Sequence, residues 1–233
     1  MENVFFLPWV VRENYNRGYD GKKILVLGES HYRNKKCDKN CDCGKTKKCL
    51  DYTKNVVKQF LKYIKSKENK GKEKHEKWMD TFYKFTNVFL GKEKVNYEDL
   101  ENFWNNIVFY NYVQKAMKRS KNKIERPTND DFDESKKAFS EILEEYKPDL
   151  VIIWGLVLEE KLFPEKKEEK LSKEVKKEEE LPEDVICIKY YQKLRCFNVD
   201  GKKIRAFAVI HPSLPFFKDY YHEPMQEALK RST

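Results

Sequence analysis

The sequence predicts an α/β domain built on a mostly parallel sheet. Four short apolar runs alternate with segments whose apolar residues recur at helical spacing. The runs lack the alternating polar positions of a half-solvated strand, as expected where helices cover both faces of a parallel sheet. The chain has 233 residues with 14% aromatics, enough to bury one sizeable core and too many for a disordered chain. We therefore read residues 1–233 as a single domain without internal repeats.

The first strand lies in GKKILVLGES, where Ile24 to Leu27 are apolar and Gly28 ends the run. A helix over 53–65 aligns Val56, Val57, Phe60, Leu61 and Ile64 on one face. A second, over 77–90, aligns Trp78, Phe82, Phe85 and Phe89. A third, over 97–105, carries Leu100, Phe103 and Trp104 behind a cap at Asn96. The second strand is NIVFYNYV, 106–113. A helix over 134–146 follows a cap at Asp133 and stops before Pro148. The third strand is DLVIIWG, 149–155. The fourth, over 203–213, follows a hairpin turn at Asp200-Gly201, and a last helix starts at Pro224. Two nearly apolar-free stretches, 65–77 and 164–184, read as mobile, charged surface insertions.

No apolar run approaches the ~20 residues of a membrane span, and the N-terminus has neither a basic n-region nor a small-residue cleavage site. The expectation is a cytoplasmic protein with no membrane partner, and no protein partner is evident. The formal net charge is +9, and it is uneven. From Ser30 to Lys77 there are 16 Lys and Arg against six Asp and Glu, a net of +10. The bland account is a lysine-rich solvated surface, since lysine outnumbers arginine 40 to eight. The functional account is an anionic partner such as DNA.

Cys37, Cys41, Cys43 and Cys49 fall within 13 residues of that basic stretch. Four thiolates in so short a loop can wrap one tetrahedral zinc, and a loop almost without apolar residues would take its folding energy from the metal. The alternatives are an iron–sulfur cluster, two disulfides or a non-metal role. Disulfides fit poorly with a chain lacking export signals. Zinc, in a structural role, is the first reading. Cys187 and Cys196 read as ordinary thiols.

Polar residues stand at three strand ends where packing does not need them. These are Gly28-Glu29-Ser30-His31-Tyr32 after the first strand, Asn111 within FYNYV, and His211-Pro212-Ser213 after AFAVI. Ligands of open α/β sheets bind beyond the carboxyl ends of the strands, so these three groups should converge on one cleft. Singly, each has a bland alternative as a loop residue or a satisfied polar group.

Taken in order, the motifs resemble the uracil-DNA glycosylase superfamily. GESHY stands where that family has G-Q-D-P-Y-H or G-E-x-P-G. VFYNYV stands for L-L-L-N-x-V, IERPTNDDFDESKKAF for an Arg-Pro segment and helix, PDLVIIWG for P-x-V-I-x-x-x-G, and HPSLPF for H-P-S-P-L-S. The resemblance spans about residues 22–217. It implies a three-layer α/β/α sandwich with a central, mostly parallel four-stranded sheet. It also implies a monofunctional DNA glycosylase that flips a base out of single- or double-stranded DNA, hydrolyses its N-glycosidic bond and leaves an abasic site.

Carried over by residue, the resemblance makes His211 the donor to the departing base and Asn111 the reader of its Watson–Crick edge. Gly28 and Glu29 would lie against the base or the attacking water, with Ser30 beside them. Tyr32 would line the pocket, and Tyr52 would stack on the base. Pro212, Ser213 and Arg126 would contact DNA, and Leu214 would fill the vacated stack. The sequence departs from the family at two points. Ser30 stands at the catalytic Asp and His31 at the following Pro, so Glu29, or failing that His31, would position the water. The four-cysteine loop is the other departure. An altered first motif suggests a deaminated or modified pyrimidine as substrate. A modified cytosine of phage DNA would make this an antiviral defence enzyme, whereas uracil would make it a DNA-repair enzyme. A reader of modified DNA with the same fold, and a zinc-dependent hydrolase or nuclease, are the rival readings.

Overall fold

The computed structural model describes residues 1–32, 47–118, 125–164, 169–170 and 193–232. In chain order the elements are α1 (Arg12–Arg17), β1 (Ile24–Gly28), β2 (His31–Tyr32), α2 (Lys47–Leu50), α3 (Tyr52–Glu68), α4 (Met79–Phe89), α5 (Tyr97–Asn105), β3 (Val108–Asn111) and β4 (Ala116–Met117). Then come α6 (Asn129–Tyr146), β5 (Leu150–Trp154), α7 (Leu156–Leu162), β6 (Glu169–Lys170), β7 (Lys193–Val199), β8 (Lys202–Val209) and α8 (Lys218–Arg231).

The main sheet has the order β3-β1-β5-β8-β7-β6. β3, β1, β5 and β8 are mutually parallel, while β7 and β6 add an antiparallel edge. The four expected strands are the parallel ones. The sheet is larger than expected because the hairpin at Asp200-Gly201 returns a full strand, β7, against β8. Asp200 and Gly201 have φ of 48° and 75°, the left-handed pair a tight two-residue hairpin needs. β2 and β4 form a separate two-stranded parallel sheet beside the main one.

Alternate strand residues divide the core into two faces. Ile24 and Val26 of β1, Phe109 of β3 and Ile152 and Trp154 of β5 meet α3, α4, α5 and α8. Leu25 and Leu27 of β1, Tyr110 of β3 and Val151 and Ile153 of β5 meet α1, α6 and α7. Helices thus cover both faces, which explains why β1 and β5 are buried at every position. The first face is dominated by rings. Phe82 and Phe85 lie within 6.4 Å of Trp104, and both lie within 5.4 Å of Trp154, centroid to centroid.

Three helix boundaries differ from expectation. α3 runs to Glu68, so the first charged stretch begins inside a helix. α6 starts at Asn129, because Thr128 and Asp131 form a capping box that the apolar pattern after Asp133 does not reveal. α8 starts at Lys218 and contains Pro224. Proline forfeits one backbone donor there, but Tyr221, Met225, Ala228 and Leu229 are buried and hold the helix on the sheet. The short helices α1 and α7 were not expected. Of the second charged stretch, 164–184, only 164 and the short strand β6 are described.

Candidate active site

The strand order places a switch point at β1. The chain leaves β1 to form β3 on one side, then crosses to form β5 and β8 on the other. Adjacent connections diverge there and leave a crevice beyond the carboxyl ends. Gly28 ends β1, and Asn111 ends β3 directly opposite it in register. β8 ends at Val209, so His211 follows its carboxyl end. The backbone N–H of Gly155, after β5, donates to Val209 O at 2.9 Å and draws those two strand ends together. Glu29, Asn111 and His211 therefore leave the sheet at the same edge.

The two loops on the β1 side run together. Tyr112 N donates to Gly28 O and Val113 N to Glu29 O, each at 2.9 Å. Asn111 is 7% exposed and its side chain lies over Gly28. A β-carbon on Gly28 would stand 2.1 Å from Asn111 Oδ1, so any side chain here would displace the Asn111 amide. Gln114 ties the same loop to the N-terminus. Its Oε1 accepts from Phe5 N and Phe6 N at 2.9 Å, and its Nε2 donates to Asn111 O at 2.8 Å.

His31 is buried beside Asn111. Its Nε2 lies 2.8 Å from Thr53 Oγ1 on α3, and Asn111 Nδ2 lies 3.0 Å from its Nδ1 and 3.1 Å from its Nε2. The rings of Tyr52 and Phe6 pack on it at 4.6 and 4.9 Å. Tyr52 also donates its hydroxyl to Tyr32 O at 2.7 Å, so Tyr32 and Tyr52 belong to the same wall. Burial pushes the His31 pKa down from 6.5 to about 3. The ring is neutral at pH 7 and enclosed by the wall, which suits it to holding Asn111 rather than to activating water.

This carries a stability consequence. The depressed pKa makes the folded state bind fewer protons than the unfolded state below pH 6.5. Stability from His31 is then full above 6.5 and falls as the pH drops towards 3, by about 1.4 kcal/mol per pH unit. Thermal melts between pH 7 and pH 4 should show this slope, and His31→Phe should flatten it. An equal acid slope in the variant would assign it to other groups.

Glu29 faces a cation. Arg126 Nη1 lies 3.2 Å from Glu29 Oε1, with side chains 74% and 15% exposed respectively. The same guanidinium acts on His211: burial first, then the Arg126 charge, lower the pKa of that ring. Arg126, expected as a DNA contact, thus belongs electrostatically to both Glu29 and His211. His211 Nδ1 accepts from Ser213 N at 3.2 Å and lies 2.7 Å from Ser213 Oγ. An Nδ1 that accepts leaves the ring proton on Nε2. Pro212 is buried. Leu214 N donates to His211 O at 2.9 Å, which turns the Leu214 side chain into solvent at 53% exposure.

Ser30 Oγ is buried without a hydrogen-bond partner among the described residues. Cys49 lies half-buried on α2, shortly before Tyr52. Cys37, Cys41 and Cys43 lie outside the described residues, as does Cys187. Among the described residues no three His, Cys, Asp or Glu side chains are grouped to hold a metal. The basic stretch divides along α3. Tyr52 and Thr53 at its start line the site, whereas Lys65 is about 20 Å further along the helix axis. Within α3, therefore, only the start of the helix borders the crevice.

Sequence reasoning missed Phe6, Thr53 and Gln114. Phe6 and Thr53 are more than 20 residues from His31, and Gln114 is more than 100 from Phe5 and Phe6, so no local pattern marks them. No helix among the described residues is long and apolar enough to cross a membrane. No protein-family model and no curated protein matches the chain.

Proposed function

We propose that this protein is a monofunctional DNA glycosylase with the fold of the uracil-DNA glycosylase superfamily, acting on a deaminated or modified pyrimidine. The observation that carries the reading is the grouping of Glu29, Asn111 and His211 beyond the carboxyl ends of three parallel strands, around the switch point. Breaking the N-glycosidic bond builds positive charge on the sugar and negative charge on the departing base. A neutral His211 offers Nε2–H to the base oxygen where that negative charge grows. Glu29 is the carboxylate available to face the sugar and to hold the attacking water. Asn111, buried and lacking net charge, offers both an acceptor and a donor to the edge of a base.

Arg126 has two roles in this reading. At rest it neutralises Glu29. A DNA phosphate entering the crevice offers it a second anionic partner and releases the carboxylate for the sugar. Leu214, projecting from the His211 turn, fills the gap left by the flipped base. The lysines of early α3, with Arg126, hold the DNA backbone, so binding should weaken steeply with salt.

The test is a screen over duplexes and single strands carrying uracil and modified pyrimidines, together with phage genomic DNA, followed by alkaline cleavage of abasic sites. Strand breaks on at least one substrate are expected. Binding without breaks on any would leave a reader of modified DNA and end the enzyme reading.

The four cysteines are proposed to hold one structural zinc, with Cys49 anchoring the loop to α2 beside the pocket wall. About one zinc per chain is expected by elemental analysis, lost on Cys37→Ser with Cys41→Ser. Iron with acid-labile sulfide would assign a cluster instead.

A further inference from the structure

We propose that Trp154 and Phe85 form an aromatic saddle that holds the turn from His211 to Phe216 on the sheet, and that Trp154 thereby positions the His211 ring. The saddle rests on ring geometry alone, and the use made of His211 rests on the glycosylase reading.

The turn needs an anchor outside itself. β8 ends at Val209 and α8 starts at Lys218, so His211 and Phe216 belong to neither element. Ser213 bonds to His211 Nδ1, but it lies in the same turn and cannot tie that turn to the sheet. Rings supply the anchor at both ends. At one end the Trp154 and His211 rings meet edge to face, with centroids 6.2 Å apart and planes at 78°. At the other, Phe216 stacks on Phe85 at 6.3 Å and 27°, and on Tyr221 of α8 at 4.5 Å and 20°. Trp154 and Phe85 lie 4.9 Å apart, so the two anchors are neighbours. Phe82 and Phe109 each lie 5.4 Å from Trp154 and keep the indole from tilting. Both saddle rings are buried.

The indole acts here as a ring and not as a donor. Trp154 Nε1 is buried and has no hydrogen-bond partner among the described residues, so exchanging the indole for another ring breaks no hydrogen bond. The contact has a chemical consequence. A ring set against the imidazole excludes water from it, and burial is the first cause of the lowered His211 pKa. Arg126, itself paired with Glu29, is the charged group acting on this ring, and Trp154, Phe85 and Phe216 carry no charge. Losing the indole admits water and raises the His211 pKa towards 6.5, with Arg126 left in place. The same loss lets the imidazole swing about its own side-chain bonds. Trp154 is a positioning residue in this account, since it acts through His211 and does not touch the base.

The test has two arms. In the full-length, histidine-labelled protein, an NMR pH titration follows the His211 ring, identified by the signal that His211→Ala lacks. Its midpoint should rise towards 6.5 in Trp154→Leu and less far in Trp154→Phe, which keeps a ring. Phe216→Leu, which frees the other end of the turn, should broaden or displace the same signal. Should Trp154→Leu not fold, Trp154→Phe and Phe216→Leu carry the test. A His211 titration unmoved in every folded variant would overturn the saddle, whether or not the protein excises anything. In the second arm, single-turnover excision should fall by about tenfold or more in Trp154→Leu, recover in part in Trp154→Phe, and shift its acid limb upward with the titration. A native rate and acid limb in a variant whose titration has moved would overturn the positioning role. No excision by the native protein, with the titration moved as expected, would reject the glycosylase reading and keep the saddle.

Discussion

His211→Ala is expected to lower the excision rate by about 10²–10³-fold while leaving most DNA affinity in place. The reason is the state of the ring. Ser213 holds Nδ1 as an acceptor through its backbone N–H at 3.2 Å, so Nε2 carries the proton. Burial and the Arg126 charge lower the pKa of the ring, so it remains neutral at pH 7. A neutral donor matched to an oxygen that becomes anionic only during bond breaking stabilises the transition state more than the bound substrate. The phosphate contacts proposed for Arg126, Ser213 and the lysines do not pass through the imidazole, so binding should survive. The pH profile adds a second reading. Because the pKa is lowered, the acid limb of the rate should lie below 6.5, and Arg126→Ala should move it upward. Single-turnover excision and a filter-binding isotherm decide the matter. Near-native rates in His211→Ala would remove this residue from the chemistry.

Gly28→Ala should be nearly as damaging to activity, for a geometric reason. The added methyl would stand 2.1 Å from Asn111 Oδ1, a separation no relaxed structure keeps, so the amide must move by about an ångström. Displacement on that scale of a group that orients the substrate costs on the order of 100-fold in rate. The backbone at Gly28 lies outside the left-handed region, so alanine is not strained there, and the stability cost should stay within about 1–3 kcal/mol of overpacking. A folded, slow enzyme is the expected result, with the Asn111 side-chain signals displaced. A fully active Gly28→Ala would mean that Asn111 does not read the base.

The parallel strands β1, β3, β5 and β8 were legible in the sequence because each is an apolar run ended by glycine or a polar residue. The same runs located Gly28, Asn111 and His211 at their carboxyl ends. The cap at Asn96 was legible because capping is local: its side chain accepts from Asp99 N three residues later. The start of α8 was not, since proline normally marks a first turn and only burial of Tyr221 and Met225 keeps the helix continuous through it. β7 was implied by its turn alone, as its sequence KLRCFNV carries little periodicity.

The sequence by itself determined the α/β class, the order of the strands along the chain and the residue types at their ends, because these depend on local pattern and on spacing. Tertiary structure alone decided the side-chain partners. Residues 31, 53 and 111 form one hydrogen-bonded set, and 29 and 126 form an ion pair, because the crossovers of a parallel sheet bring distant segments to one edge. The sheet also decided that His31 is neutral and enclosed. The ionisation of an imidazole depends on how much water its neighbours exclude, and those neighbours, Phe6, Tyr52 and Asn111, are supplied by three separate parts of the chain.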